Sequence, residues 1–110
     1  DFQIYHDPNY NILKGINAQS TQFWTNNSPR WRIQAGGHIM PEATNTYDIG
    51  TSSYRVRNIY TADIHCSNRG SSNDVDGTWG DYTIQEGESD LFLINNRTGK
   101  KYKFLLQEVK

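Results

Sequence analysis

Cysteine is nearly absent from this chain: Cys66 is the single one, which excludes an internal disulfide. We interpret Cys66 as a reduced, partly buried thiol. No apolar run approaches the roughly 20 residues of a transmembrane helix, so we expect no membrane insertion. An excess of charge of one sign is also lacking, since 11 Lys and Arg nearly balance 12 Asp and Glu for a net charge of -1. Without a basic excess, nucleic acid is not an expected partner.

Hydrophobic residues are the next scarcity. They make up 35% of the 110 residues even with tyrosine counted, against about 45–50% apolar residues in ordinary globular domains. Aromatic residues nevertheless reach 13%, which is too many for a disordered tail. A chain that is polar, yet rich in aromatic and β-branched residues, commonly buries its few apolar strips against other copies of itself. The composition therefore favours an obligate oligomer.

Signatures of catalysis are missing as well. The sequence has no Gly-x-Ser-x-Gly, no P-loop, no CxxC and no HExxH. Its histidines are scattered without the spacing of metal ligands; they are His6, His38 and His65. Three carboxylates within residues 86–90 have the residue types of a glycosidase pair, but in a turn they are more simply a solvated acidic segment. We expect no enzyme, no resident metal and no cofactor.

One stretch has some features of a calcium loop. In residues 73–77 the oxygen-bearing side chains Asn73, Asp74 and Asp76 precede Gly77. The distal acidic ligand of such a loop is not convincingly placed, because Gln85 comes before Glu86. A solvated turn rich in Asn and Asp is the preferred interpretation.

Short alternating segments recur about every ten residues, with turn clusters between them. This pattern predicts an all-β architecture. Residues 54–60 alternate β-branched and aromatic residues with arginines, as a half-buried strand requires. Asp48-Ile49-Gly50 predicts a tight turn before that strand. The other strands are expected near residues 2–5, 10–14, 23–25, 31–35 and 38–40.

The C-terminal part predicts a small sheet. Residues 90–95 form a strand, Gly99 closes a turn by accepting positive φ, and residues 100–106 form the returning strand. An earlier strand containing Trp79, Tyr82 and Ile84 completes the sheet.

Three segments carry a resemblance to a known family. DIGTSSYRVRNIY (residues 48–60) resembles a segment that recurs in bacteriophage tail fibres, tailspikes and neck appendages. FQIYHDPNYNILK (2–14) is similar to strand-turn-strand units that precede it in such fibres. The segment from Gly77 to Val109 looks like a C-terminal module of phage virion proteins. Since the chain opens inside a strand-like pattern, we expect it to be a fragment of a longer polypeptide.

The resemblance implies a virion protein that is an intertwined homotrimer. Triple β-helix or β-prism-like shaft segments would be followed by a small C-terminal β-sheet module. The expected layout is a short-strand trimeric shaft (1–40), a neck motif (41–65), a loop or linker (66–80) and a C-terminal β-hairpin module (81–110). Short strands that end at Gly or Pro fit such winding, because strands from three chains remove each other's exposed edges. The side chains expected to face the trimer core are Ile4, Ile12, Trp31, Ile33, Ile39, Ile49 and Val56.

The function implied is structural and host-attaching: the distal part of a fibre or appendage, which binds a bacterial surface receptor, expected to be a polysaccharide. Tyr and Trp suit such contact, because their flat faces pack on sugars and their polar tips form hydrogen bonds. The candidate contact residues are Trp24, Tyr47, Trp79 and Tyr82. An alternative is a trimerisation and registration module that supports an upstream enzyme or adhesin and binds no receptor itself.

Overall fold

Strands are the one kind of regular element in the computed structural model, which describes residues 2–17 and 19–110. The prediction of an all-β fold is therefore confirmed for the part of the chain described. The strands are β1 (Phe2–His6), β2 (Asn11–Gly15), β3 (Thr21–Thr25), β4 (Ser28–Ile33), β5 (Ile39–Pro41), β6 (Ile64–Ser67), β7 (Asp81–Glu86), β8 (Leu91–Asn95) and β9 (Lys101–Lys103). They form three antiparallel sheets of two, three and four strands in chain order.

The chain divides into two compact units, Asp1–Tyr54 and Arg55–Lys110. We call them the N-terminal and C-terminal units. The first holds the β1–β2 hairpin and the β3–β4–β5 sheet, and the second holds the four-stranded sheet. The division falls inside the predicted neck motif (41–65).

The β1–β2 hairpin closes at Asp7. Its Oδ1 accepts hydrogen bonds of 2.8 Å from the backbone N–H groups of Asn9 and Tyr10, as expected for an Asx-type turn. Ile4 pairs with Leu13, whereas Ile12 pairs with Tyr5. Because directly paired residues share a face and neighbours alternate, Ile4 and Ile12 lie on opposite faces. A trimer core on one side of this hairpin would therefore contact Ile4 or Ile12, but not both.

The β3–β4–β5 sheet has one polar and one apolar face. Arg32 pairs with Gln22 and with Met40 on the polar side. Glu42 ties this side together: its Oε1 lies 3.7 Å from Arg32 Nε and accepts a 3.1 Å hydrogen bond from Gln22 Nε2. On the other side the cross-strand rows place together Phe23, Trp31 and Pro41, and then Thr21, Ile33 and Ile39.

The four-stranded sheet carries an apolar row of its own. Register across β6, β7, β8 and β9 aligns Ile64, Ile84, Leu93 and Tyr102 on one face. The predicted C-terminal hairpin is confirmed, with Gly99 at φ +77° in its turn. Its second strand is shorter than predicted, since β9 ends at Lys103 and both Leu105 and Leu106 are exposed.

One prediction for the middle of the chain is wrong. Residues 54–60 form no strand, although Gly50 does adopt the positive φ expected of the preceding turn. Alternation alone does not make a strand, because the backbone N–H and C=O groups also need a partner strand.

The segment predicted as a loop or linker (66–80) is a mostly exposed loop over residues 68–80. Its first two residues, Cys66 and Ser67, belong to β6, which pairs with β7 across this loop.

A hydrophobic core is absent from the described residues. Thr83, at 4% exposure, is the one side chain there that counts as buried, and no apolar side chain does. Of the residues predicted to face a trimer core, Ile12 and Trp31 are half-buried in the single chain and the others are exposed. The most open of them are Ile4 at 75%, Ile39 at 71% and Ile49 at 76%. These sheets leave their apolar faces uncovered.

The β3–β4 turn generates a stability prediction. Asn26 and Asn27 have φ of 49° and 58°, the two consecutive positive values of a type I′ hairpin turn. We expect Asn27→Val to lower the free energy of unfolding by about 1–2 kcal/mol, because a β-branched side chain strains this conformation. Asn27→Gly at the same site should cost no stability. Denaturant unfolding of both variants checks this, and equal losses would contradict it.

Candidate ligand-binding groove

An open groove of about 660 Å³ lies in the C-terminal unit, where β6 and β7 meet the loop of residues 68–80. Two of the four aromatic residues singled out in the sequence, Trp79 and Tyr82, line it together. Asp76 and Asn68 contribute polar groups, and Cys66 contributes its thiol. Cys66 is exposed, so its predicted partial burial is wrong. The remaining lining residues are His65, Ser67, Asn73, Thr78 and Gly80.

Asn68 closes the base of the loop. Its Oδ1 accepts a 2.7 Å hydrogen bond from the Gly80 N–H, and its own N–H donates to the Gly80 carbonyl over 3.3 Å. These two hydrogen bonds therefore join the first and last residues of the loop, directly beside the β6–β7 ladder. Its shape follows from hydrogen bonds rather than from apolar burial.

A second set of hydrogen bonds shapes the tip of the loop. Asp76 Oδ1 accepts from Thr78 Oγ1 at 2.7 Å, from Asn73 Nδ2 at 2.8 Å and from the Thr78 N–H at 3.1 Å. Asn73 Oδ1 in turn accepts from the N–H groups of Val75 and Asp76. The predicted Asx-rich turn is confirmed. Among the described residues, no group of three or more His, Cys, Asp or Glu side chains gathers as metal ligands would.

These bonds also act on the acidity of Asp76. The Thr78 hydroxyl, then the Asn73 amide, stabilise the carboxylate and lower the pKa of Asp76 below its ordinary value of 3.8. The group is fully exposed, so water is present around it as well. Asp76 thus remains an anionic acceptor to a lower pH than a free aspartate does.

Trp79 is held in place by arginine. The Arg97 guanidinium carbon lies 3.8 Å from the centroid of the indole, and Arg97 Nη1 donates a 3.0 Å hydrogen bond to the Trp79 carbonyl. Arg69 lies farther off, at 5.8 Å. Stacking of this kind fixes the ring through the attraction of a cation to an aromatic face. It also means that Arg97 already occupies part of the surface that a flat sugar would use.

Tyr82 lies against the loop backbone at Gly80. A Cβ built on Gly80 would come within 2.8 Å of the Tyr82 ring, so a side chain at this position would push the ring away. Tyr82 remains partly open to solvent, and its hydroxyl accepts a 3.4 Å bond from Asn95 Nδ2. The absent side chain of Gly80 is thus what lets an aromatic ring form this wall of the groove.

The other two aromatic candidates lie in the N-terminal unit. Tyr47 packs against Trp31, with ring centroids 6.5 Å apart, and receives a 3.0 Å hydrogen bond from Arg30 Nη1. Trp24 is exposed and donates its indole N–H to Gln22 Oε1 over 3.0 Å. Trp24 lies outside the aromatic pair formed by Tyr47 and Trp31.

A constellation that the sequence analysis missed lies on the other face of the four-stranded sheet. His65 Nδ1 shares a 3.0 Å hydrogen bond with Thr83 Oγ1, and His65 Nε2 lies 4.0 Å from Asp63 Oδ2. This order of hydroxyl, imidazole and carboxylate is that of a nucleophile with its base and orienting group. Thr83 is buried, however, and also accepts a 2.9 Å bond from Asn96. The arrangement is therefore a structural network; only cross-strand register could have revealed it.

None of the described residues forms a helix long and apolar enough to cross a membrane.

The Asp76 turn generates a prediction on pH. We expect an NMR titration of the Asp76 carboxyl carbon to give a midpoint below 3.8, because the folded state favours the ionised form. The stabilisation from this group is therefore present above its unfolded pKa and is lost as the pH falls through its folded pKa. Thr78→Val, which keeps the shape but removes the hydroxyl donor, should raise the midpoint. An unchanged midpoint in that variant would contradict the assigned cause.

Comparison with known proteins supplies no relative for this chain. No protein-family model, no curated protein and no solved structure matches it significantly. A function therefore has to be argued from the residues and their arrangement.

Proposed function

We propose that this chain is the distal structural and host-attachment part of a homotrimeric phage tail fibre or appendage, acting in the virion and on the bacterial surface. The proposal joins two independent supports. One is the resemblance of residues 2–14, 48–60 and 77–109 to segments of such proteins. The other is physical: the sheets of the chain leave apolar faces that a partner has to cover.

The uncovered apolar faces are the observation that carries the proposal. Trp31, Ile33 and Ile39, each expected at a trimer core, are placed on one face of the β3–β4–β5 sheet by the strand register. Burying one such side chain contributes about 1.5–3 kcal/mol. Summed over three chains, these contributions can offset the entropy of ordering a chain that has few buried contacts of its own.

The apolar surface of the N-terminal unit extends beyond that sheet. A groove of about 620 Å³ is lined by Phe2 and Leu13 of the hairpin, by Ile16 and by Phe23 of the sheet. Phe2 and Leu13 lie on the same hairpin face as Ile4. Apolar side chains of the hairpin and of the sheet thus border one groove, together with polar residues between them such as Asn17, Gln19 and Gln22. These apolar side chains add to the surface that contact with two other copies would bury.

Trimer formation is tested by the mass of the protein in solution. Light scattering on a size-exclusion column should give a mass near three times 12.7 kDa, and the trimer should resist detergent in an unheated gel. A folded monomer would remove the physical basis of the proposal, because the chain would then be stable with its apolar faces in water.

Adjacent residues of β5 supply a matched pair of variants. Ile39 lies on the apolar face and Met40 on the polar face. Ile39→Gln should weaken the trimer by at least about 1.5 kcal/mol per chain, because an amide replaces a buried side chain. Met40→Gln should leave the mass unchanged at the same concentration. If both variants dissociate equally, the apolar face of this sheet is not the interface.

Host attachment is tested separately from assembly. Fluorescently labelled trimer should bind to cells or extracted surface polysaccharide of at least one bacterial strain. A stable trimer that binds none of them would favour a trimerisation and registration module for an upstream enzyme or adhesin. That outcome would leave the structural half of the proposal intact and overturn the attachment half.

A further inference from the structure

Two polar groups of the groove in the C-terminal unit have hydrogen-bonding capacity to spare. Asp76 accepts three hydrogen bonds at Oδ1, whereas its Oδ2 accepts none from the described part of the chain. Asn68 uses Oδ1 to accept from Gly80, and its Nδ2 makes no hydrogen bond there either. The groove thus offers a fixed acceptor and a fixed donor, both held by backbone and side-chain bonds that a ligand need not disturb.

From this arrangement we infer that the groove is a binding site for a saccharide, recognised through adjacent uncharged hydroxyl groups. The inference rests on the proposed host-attachment role and assigns it to one place. Two neighbouring hydroxyls of a sugar ring present a donor and an acceptor close together. Asp76 Oδ2 can accept from one hydroxyl, and Asn68 Nδ2 can donate to the other.

The aromatic wall agrees with that ligand. Tyr82 presents a partly exposed ring next to the polar pair, and Trp79 stands on the same groove with its orientation set by Arg97. The C–H groups of a sugar ring pack on such surfaces while its hydroxyls reach the polar atoms. A concave surface with apolar walls and a few placed polar groups is the usual form of a small-ligand site.

Charge limits what can bind at Asp76. Asp76 is the one carboxylate among the residues that line the groove, so a carboxylate or phosphate of the ligand placed there would meet a like charge. The guanidinium carbons of Arg97 and Arg69 lie 3.8 and 5.8 Å from the centroid of the Trp79 ring, so positive charge also borders the groove. We therefore expect an uncharged hydroxyl at Asp76, whatever the charge of the rest of the saccharide.

The test uses the full chain on an array of neutral and acidic bacterial polysaccharides, followed by NMR titration with short fragments of those that bind. We expect a saccharide that binds to shift the side-chain amide of Asn68 and the indole N–H of Trp79. Asp76→Asn keeps the oxygen that holds the turn but replaces Oδ2 by a donor. It should weaken binding about tenfold or more, as for the loss of a hydrogen bond to a charged group.

Asp74 provides the control, because it lies in the same loop but does not line the groove. Asp74→Asn removes the same charge and should bind as the wild-type chain does. Equal weakening in both variants would show a general charge effect and overturn the site. A saccharide that binds without any shift at Asn68 would overturn it too.

Light scattering on the same samples separates this inference from the proposed function. A trimer that binds cells while the groove stays unperturbed would overturn the groove as the contact site and leave the attachment role standing. A monomer that binds no saccharide would overturn both. Intact Thr78 and Gly80 backbone amide signals in the Asp76→Asn variant would show that its loop is still folded, so that a loss of binding would reflect the missing acceptor.

Discussion

Backbone pairing between short strands is the interaction on which the rest of this structure depends. Each sheet satisfies its interior N–H and C=O groups through antiparallel ladders, which is an obligatory requirement for polar groups withdrawn from water. The pairing also sorts the side chains into faces. What it does not supply is a second layer, because domains normally bury a sheet's apolar face against another element. In each unit, strand pairing decides which side chains share a face of the sheet, but it supplies no second layer against the apolar face.

Because strand pairing orders the backbone without adding a second layer, the chain has regular sheets and yet no buried apolar side chain among the described residues. In the β3–β4–β5 sheet, ion pairing and hydrogen bonds around Glu42 complete the polar face. On the apolar face Tyr47 packs against Trp31, whereas Ile39 stays 71% exposed. A trimer would cover this face and also the sheet edges that otherwise invite aggregation. In the trimer that we propose, the other two chains would supply the second layer against this sheet.

The groove in the C-terminal unit is built on a different principle. Its loop holds almost no apolar contact, and its shape comes from amide and carboxylate side chains that bond back to the backbone, as Asn68 and Asp76 do. Such a loop keeps its shape while its surface stays polar. That combination suits a surface that contacts a hydrated ligand, whereas the apolar face of the β3–β4–β5 sheet suits contact with another copy. In the proposed function, the polar loop of the C-terminal unit would contact the host, and the apolar surface of the N-terminal unit would contact the other chains of the trimer.

Much of the fold could be predicted from the sequence, because its causes are local. Alternation predicted the strand content, the turn clusters between the short segments predicted the turns, and Gly99 marked the C-terminal hairpin. The strand expected at residues 54–60 failed because a strand also needs a partner, which lies beyond the reach of a local pattern. Trp79 and Tyr82 were predictable as candidates by type.

The strand register, and with it the faces, was decided only by the tertiary structure. It separated Ile4 from Ile12, gathered Trp31, Ile33 and Ile39, and put Thr83 beside His65. The groove also depends on the tertiary structure, since Asn68 and Gly80, which are hydrogen-bonded, lie twelve positions apart in the sequence. The sequence by itself determined which segments are able to pair and turn. Which side chains share a surface followed from the pairing, because a shift of one residue in register exchanges the two faces of a strand.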